Sequence, residues 1–398
     1  MAPLLKGLKM IVPKPLRILT YRACRWKPLG ATARYLHNVA ATSIGQSLKS
    51  LSETTSVYLT GGSVHRVVPA LSDIDLMVVT EITTDSILTL RRRARSLKAL
   101  YWMLGEILVL DQKTLKHLQG SGSALSIHLF GDKKLLAGTD VQLLPATPSD
   151  PKSLFMLMMR FYAKATDVAA SGSRMSSYDD ADCKRYLSKI VALNNGTRVT
   201  GYRLIDDGAS LESYFVDAYS VLDQRASRLL TDLFPDGVPA VVNQIAIQSA
   251  ETTSQNNPLR LSESAKICRF MGLTLESLTP TLNRLTSIPE DISTLVLKHS
   301  IRERALRRYF QLPGDMTLNS REAIRSKLNQ FCRLGCYLAT NQYFVDRSVL
   351  ANKSREHLPV TALIMEKTHQ DSPELSLETL IEATLNVRHE LEKILIHP

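Results

Sequence analysis

The stretch Val57-Tyr58-Leu59-Thr60-Gly61-Gly62-Ser63, followed after nine residues by Asp73-Ile74-Asp75-Leu76-Met77-Val78-Val79, decides how this chain is read. An apolar strand runs into two glycines and a serine, which are expected to open a helix. Glycine lets the backbone approach a ligand closely. A fresh helix N-terminus offers N–H groups and positive dipole character to a phosphate. Gly61, Gly62 and Ser63, with Arg66 just beyond, are therefore candidate phosphate contacts. Asp73 and Asp75 lie two apart in an alternating strand, which puts both carboxylates on one face. Held together, they repel unless a divalent cation lies between them, and hard oxygen ligands of this kind suit magnesium.

Working outward, strands are expected over Ser56–Thr60, Ile74–Thr80 and Ile107–Leu110. Residues 31–52 and 85–104 read as helices, the second strongly basic with Arg91, Arg92, Arg93, Arg95 and Lys98. Residues 111–119 read as a short helix and 123–137 as a further helical stretch, with Gly138 marking a break before Asp140. Pro145, Pro148 and Pro151 then form the clearest boundary in the chain. Beyond it, helical periods recur over roughly 152–170, 179–194, 208–234, 238–251, 261–278, 290–311, 319–346 and 373–396. The expected architecture is α+β. A basic, partly helical extension (1–48) precedes a small mixed sheet with helices (49–150) and a larger all-α region (151–398).

The 398 residues carry 49 Lys and Arg against 38 Asp and Glu, a formal charge of +11. The excess is uneven. Residues 1–56 hold nine basic residues and one acid, Glu53, so eight of the surplus charges sit in this head and three in the remaining 342 residues. A nearly balanced body argues against a surface coated in nucleic-acid-binding charge. Five cysteines, an odd number in a long chain, argue against a disulfide framework and for a reducing, cytoplasmic setting. Cys332 and Cys336 are four apart with no second pair at zinc spacing, and read as small buried helix residues. No run of 18 apolar residues exists, so no membrane span is expected. The basic N-terminus lacks the compact apolar run and cleavage site of a secretory signal.

Gly62-Ser63 followed by Asp73-x-Asp75 in an apolar strand resembles the signature of the polymerase-β-type nucleotidyltransferase superfamily. The form Ser72-Asp-Ile-Asp-Leu-Met-Val-Val is similar to the small-substrate branch that includes aminoglycoside nucleotidyltransferases. Leu104-Gly-Glu106-Ile-Leu-Val-Leu has an acid at a strand start where the family has its third carboxylate, and Leu135–Pro145 resembles the segment before the family's helical region. The match spans about residues 50–150. The resemblance implies a nucleotidyltransferase fold and one or two Mg²⁺ on Asp73 and Asp75, with Glu106 completing the set or acting as general base. It implies an NTP, ATP first, whose phosphates meet Ser63 and neighbouring N–H groups, with Lys184 and Lys189 reaching across from the helical region. An acceptor hydroxyl attacks the α-phosphorus and pyrophosphate leaves.

The sequence departs from that pattern in places. Val67-Val68-Pro69 stands where small residues are common, and the helical region of about 250 residues is larger than in compact antibiotic-modifying relatives. Asp111 and Asp140 rival Glu106 as the third acid. Arg302, Arg304, Arg307 and Arg308 read first as a basic helix face and second as a ligand platform. The expected activity is NMP transfer to the hydroxyl of a small molecule or protein. The alternative is an RNA 3′-end nucleotidyltransferase, with the basic head and the 91–98 helix contacting phosphates. A third reading, an inactive scaffold, sits poorly with Asp73 and Asp75 both present.

Overall fold

The computed structural model describes residues 14–64, 67–120, 133–141, 151–170, 177–195, 209–233, 301–302, 305–312, 321–340, 347–368 and 375–396. Arg66 and the helical periods expected at 238–251 and 261–278 lie outside the described residues.

Two helices lead, α1 (Lys14–Ala23) and α2 (Lys27–Lys49). Strand β1 (Thr54–Thr60), strand β2 (Ile74–Thr80), helix α3 (Thr84–Leu100) and strand β3 (Leu104–Leu110) follow. Next come α4 (Gln112–Gly120) and β4 (Lys133–Gly138). The remaining elements are helices: α5 (Pro151–Ala170), α6 (Ser177–Asn194), α7 (Leu211–Leu233), α8 (Arg321–Thr340), α9 (Arg347–Ser354), α10 (Pro359–Lys367) and α11 (Leu377–Leu395). A helical segment at 305–310 precedes α8. The fold is thus mixed, helices around a four-stranded sheet of order β3-β2-β1-β4. Strand β1 pairs antiparallel with β2 and β4, while β2 and β3 run parallel across the α3 connection.

Both sheet faces are covered, which is why the strands read as continuous apolar runs. On one face, Ala40, Ile44 and Leu48 of α2 and Ile87, Leu90 and Ala94 of α3 pack on Val57, Leu59, Leu76, Val78 and Val109. On the other, Tyr58, Met77, Val79, Leu108 and Leu110 share an apolar cluster with segment 305–310 and helices α8–α11. Helices α5, α6 and α7 form a cluster of their own around Phe155, Met158, Leu187 and Leu222. Cys332 and Cys336 are buried in α8, as their spacing suggested. No helix among the described residues is long and apolar enough to cross a membrane.

Two expectations are corrected here. The stretch 123–137 was expected to be helical, yet Lys133–Gly138 is strand β4. It pairs with β1 and sends Leu135 toward one sheet face and Leu136 toward the other, so pairing and two-sided burial outweigh the local pattern. Gly138 ends that strand at φ +93°, and a Cβ there would lie 2.9 Å from the Ser56 Cα. The helix expected after Thr60 is a single 3₁₀ turn, Gly61–Val64. The described residues 67–73 beyond it are turn and irregular chain, so among the described residues no α-helix follows the Gly61-Gly62-Ser63 turn.

The free edge of β3 is closed by long-range contacts, removing an exposed sheet edge. The Leu312 N–H donates to the Ile107 carbonyl at 2.9 Å. Arg388 of α11, buried, donates Nη2 to the Val109 carbonyl at 3.0 Å and stacks on Tyr309 at 4.4 Å. Arg388→Ala would strip that carbonyl of its donor and leave a void beside Tyr309. A loss of about 2–4 kcal/mol is expected, measured as the shift in urea unfolding.

Candidate active site

The polypeptide delivers Asp73 and Asp75 through a tightly bonded loop. The Ser63 hydroxyl donates to the Asp73 carbonyl at 2.6 Å, and the Ser72 hydroxyl accepts the Val68 N–H at 2.8 Å. Ala70 sits at φ +68°, and Arg185 of α6 donates to the Leu71 carbonyl at 2.8 Å. Asp73 therefore arrives one residue ahead of β2, and Asp75 is the second residue of that strand.

The β2–β3 register shifts between Ile74 and Leu76: Ile74 pairs with Leu104 and Leu76 with Ile107, so Gly105 and Glu106 together oppose Asp75. A bulge of this kind leaves one amide outside the ladder. Here the Glu106 N–H donates to Asp75 Oδ1 at 2.9 Å. A Cβ on Gly105 would overlap the Asp75 carboxylate and lie 2.9 Å from the Asp73 Cβ, so any side chain there must displace the acids. Burial, then the neighbouring Asp73 charge, push the Asp75 carboxyl up to about 6, against the opposing pull of the Glu106 N–H and of Lys189.

These residues open onto a cavity of about 300 Å3. Thr60, Gly61, Asp73, Asp75, Gly105 and Glu106 form its sheet side. Leu157, Phe161 and Lys164 of α5, Arg185, Tyr186 and Lys189 of α6, and Arg307 and Phe310 line the rest. Lys164 lies over the Tyr186 ring at 5.4 Å and Lys189 over Phe161 at 5.0 Å, which holds both ammonium groups against aromatic faces. Arg185 is engaged by Leu71, Asp182 and Tyr186.

The expected site residues divide accordingly. Gly61, Asp73, Asp75, Glu106 and Lys189 line the cavity; Gly62, Ser63 and Lys184 do not. Ser63 was expected as a phosphate donor, but it is buried and its hydroxyl is committed to the Asp73 carbonyl. Lys184 was expected to reach a triphosphate. Instead it bonds the Ala209 carbonyl at 2.6 Å, pairs with Asp180 and lies over Tyr214, so it ties α6 to α7. Of the three rival acids, only Glu106 meets the cavity. Asp111 accepts the Thr114 N–H at the start of α4, and Asp140 accepts the Tyr58 hydroxyl at 3.0 Å. On the basic helix α3, Arg91 is buried and Lys98 donates to the Trp102 and Leu104 carbonyls, which leaves Arg92, Arg93 and Arg95 on the exposed face.

Lys164 and Tyr186 were not among the expected site residues, and Arg307 was expected first as a basic helix face and only second as a ligand platform. The first two carried a faint signal: Leu157-Phe161-Lys164 and Arg185-Tyr186-Lys189 are spaced to share a helix face. Nothing local to Arg307 separates it from Arg308.

Among the described residues, no group of three or more His, Cys, Asp or Glu side chains is set to hold a metal. Glu106 is taken by Arg307 and Gln311, so a three-carboxylate cage is not assembled. Asp73 and Asp75 do fit a hard cation: they are adjacent carboxylates, and the charge of one already disfavours ionisation of the other. No family model, curated protein or solved structure matches the chain.

Two outcomes follow from this geometry. Because the folded-state value of Asp75 is raised to about 6, the native state holds its proton more tightly than the unfolded chain. Its contribution is therefore most favourable below the unfolded value and is lost as pH rises through about 6. Asp75→Asn, measured by thermal unfolding in chelator, is expected to stabilise the protein by about 1–3 kcal/mol at pH 7.5 and to show little gain near pH 4. Gly105→Ala is expected to cost about 1–3 kcal/mol in urea unfolding, because the Asp75 carboxylate must move.

Proposed function

We propose that the chain is a Mg²⁺-dependent nucleotidyltransferase of the polymerase-β-like fold. It moves an NMP, AMP first, from an NTP to the hydroxyl of a small molecule or protein and releases pyrophosphate. The observation that carries this reading is the convergence on one cavity of the Asp73–Asp75 pair with Lys164, Lys189 and Arg307. Paired carboxylates suit a divalent cation, and cations in the same cavity suit the phosphates it accompanies.

Asp73 and Asp75 would hold the Mg²⁺, which when bound screens charge on the attacking and leaving oxygens. Lys164, Lys189 and Arg307 neutralise the polyphosphate and orient it for in-line attack at the α-phosphorus. Gly61, at φ +73° where β1 ends, keeps the cavity mouth free of a side chain. Asp75, with its value near 6, would be deprotonated in the neutral range and so able to take up the cation there.

The test is label transfer. The protein is incubated with Mg²⁺, each α-labelled NTP in turn, and cell lysate fractionated into small molecules, protein and RNA. Label should enter the small-molecule or protein fraction. Asp73→Asn with Asp75→Asn should reduce it by about 100-fold or more. Labelling at the wild-type rate in that double variant would sink the assignment, and label confined to RNA would move the acceptor to nucleic acid.

A further inference from the structure

Glu106 and Arg307, 201 residues apart, meet at the cavity in a two-pronged contact. Arg307 Nε donates to Glu106 Oε1 at 3.1 Å and Nη2 to Oε2 at 3.0 Å. The Gln311 side-chain amide donates to the same Oε1. A carboxylate receiving three N–H groups, two of them from a guanidinium, is already neutralised. A cation could claim it only by displacing Arg307.

The benefit runs the other way. The fork fixes the plane of the guanidinium, which has five N–H donors in a rigid arrangement. Nη1 has no hydrogen bond among the described residues, and the side chain keeps 34% of its exposure while lining the cavity. Its backbone is anchored too. Gln311 bridges to Leu108, the Leu312 N–H bonds Ile107, and Phe310 is fully buried between them and the core. Arg307 is therefore anchored by both side chain and backbone, with donors to spare, and lines the same cavity as Asp73, Asp75, Lys164 and Lys189.

We infer that Glu106 is a positioning residue that holds Arg307 as the anion receptor for a polyphosphate chain, leaving Asp73 and Asp75 alone as the carboxylate face of the site. The inference rests on the nucleotidyl-transfer reading for the identity of the ligand, and on the fork for its chemistry. Charge supports it: a polyphosphate would be repelled by three bare carboxylates, and pairing Glu106 with Arg307 removes one of them.

The test is calorimetric titration of the full chain with inorganic tripolyphosphate in the presence of Mg²⁺. Arg307→Ala should weaken binding about tenfold or more, the loss of a charge-assisted bond. Glu106→Gln should also weaken binding in the Arg307 background, because the fork loosens. In the Arg307→Ala background it should instead strengthen binding, because only like-charge repulsion is then removed. The Mg²⁺ concentration for half-maximal binding should stay unchanged in Glu106→Gln and rise in Asp73→Asn. Arg307→Lys keeps the charge without the fork and should fall between wild type and Arg307→Ala, with an unaltered unfolding midpoint. Tighter binding in Glu106→Gln alone, a Mg²⁺ shift matching that of Asp73→Asn, or no wild-type binding would each overturn the inference. If the pattern holds while no NTP labels any acceptor, the anion receptor stands and nucleotidyl transfer fails. If label is transferred while Arg307→Ala binds tripolyphosphate normally, the reverse is true.

Discussion

The Asp75 carboxylate accepts the amide that the bulge at Gly105-Glu106 frees from the β2–β3 ladder, and the candidate site is built around that contact. An unpaired amide in a parallel sheet needs an acceptor. Asp75 supplies one, and in doing so its carboxylate is drawn against the strand instead of into solvent. The bulge also turns Glu106 toward the chain that covers the sheet edge, and it favours glycine at 105. One irregularity thus sets the place of one acid, the direction of another and the identity of the residue between them.

Electrostatics explains why the rest of the cavity is basic. Burial and the adjacent Asp73 carboxylate raise the cost of ionising Asp75, as its upward shift records. The molecule offsets this with cations carried on separate elements: Lys164 on α5, Lys189 on α6 and Arg307 on the segment bridged to β3. Two of those cations also lie against aromatic faces, Lys164 over Tyr186 and Lys189 over Phe161. The result is a polar cleft lined by both carboxylates and cations, an arrangement suited to a ligand that carries both a divalent cation and phosphates.

What was legible in the sequence was local. The β-branched run after Asp73, the two-residue spacing of the acids and the glycines after β1 are short-range patterns, and they located β1, β2 and the Asp73–Asp75 pair. Side-chain commitments were not legible. Ser63 lies in the expected place, yet its hydroxyl serves the loop that presents Asp73. Lys184 and Lys189 are five residues apart on α6 and look alike in sequence. The chain just before α7 decides between them, by taking the first as a donor to the Ala209 carbonyl. Strand β4 was hidden because its stability comes from pairing with β1, eighty residues earlier, and not from its own residues. Arg307 could not be singled out from Arg302, Arg304 and Arg308 for the same reason: its partner Glu106 lies on β3, 201 residues away.

The central claim is that Asp73 and Asp75 form a divalent-cation site that serves a polyphosphate ligand. Electron paramagnetic resonance of Mn²⁺, titrated into the protein with and without ATP, tests it most directly. The account predicts bound Mn²⁺ whose affinity rises when ATP is present and which is lost when both aspartates become asparagine. Mn²⁺ binding that is indifferent to those two substitutions, or absent with ATP present, would contradict it.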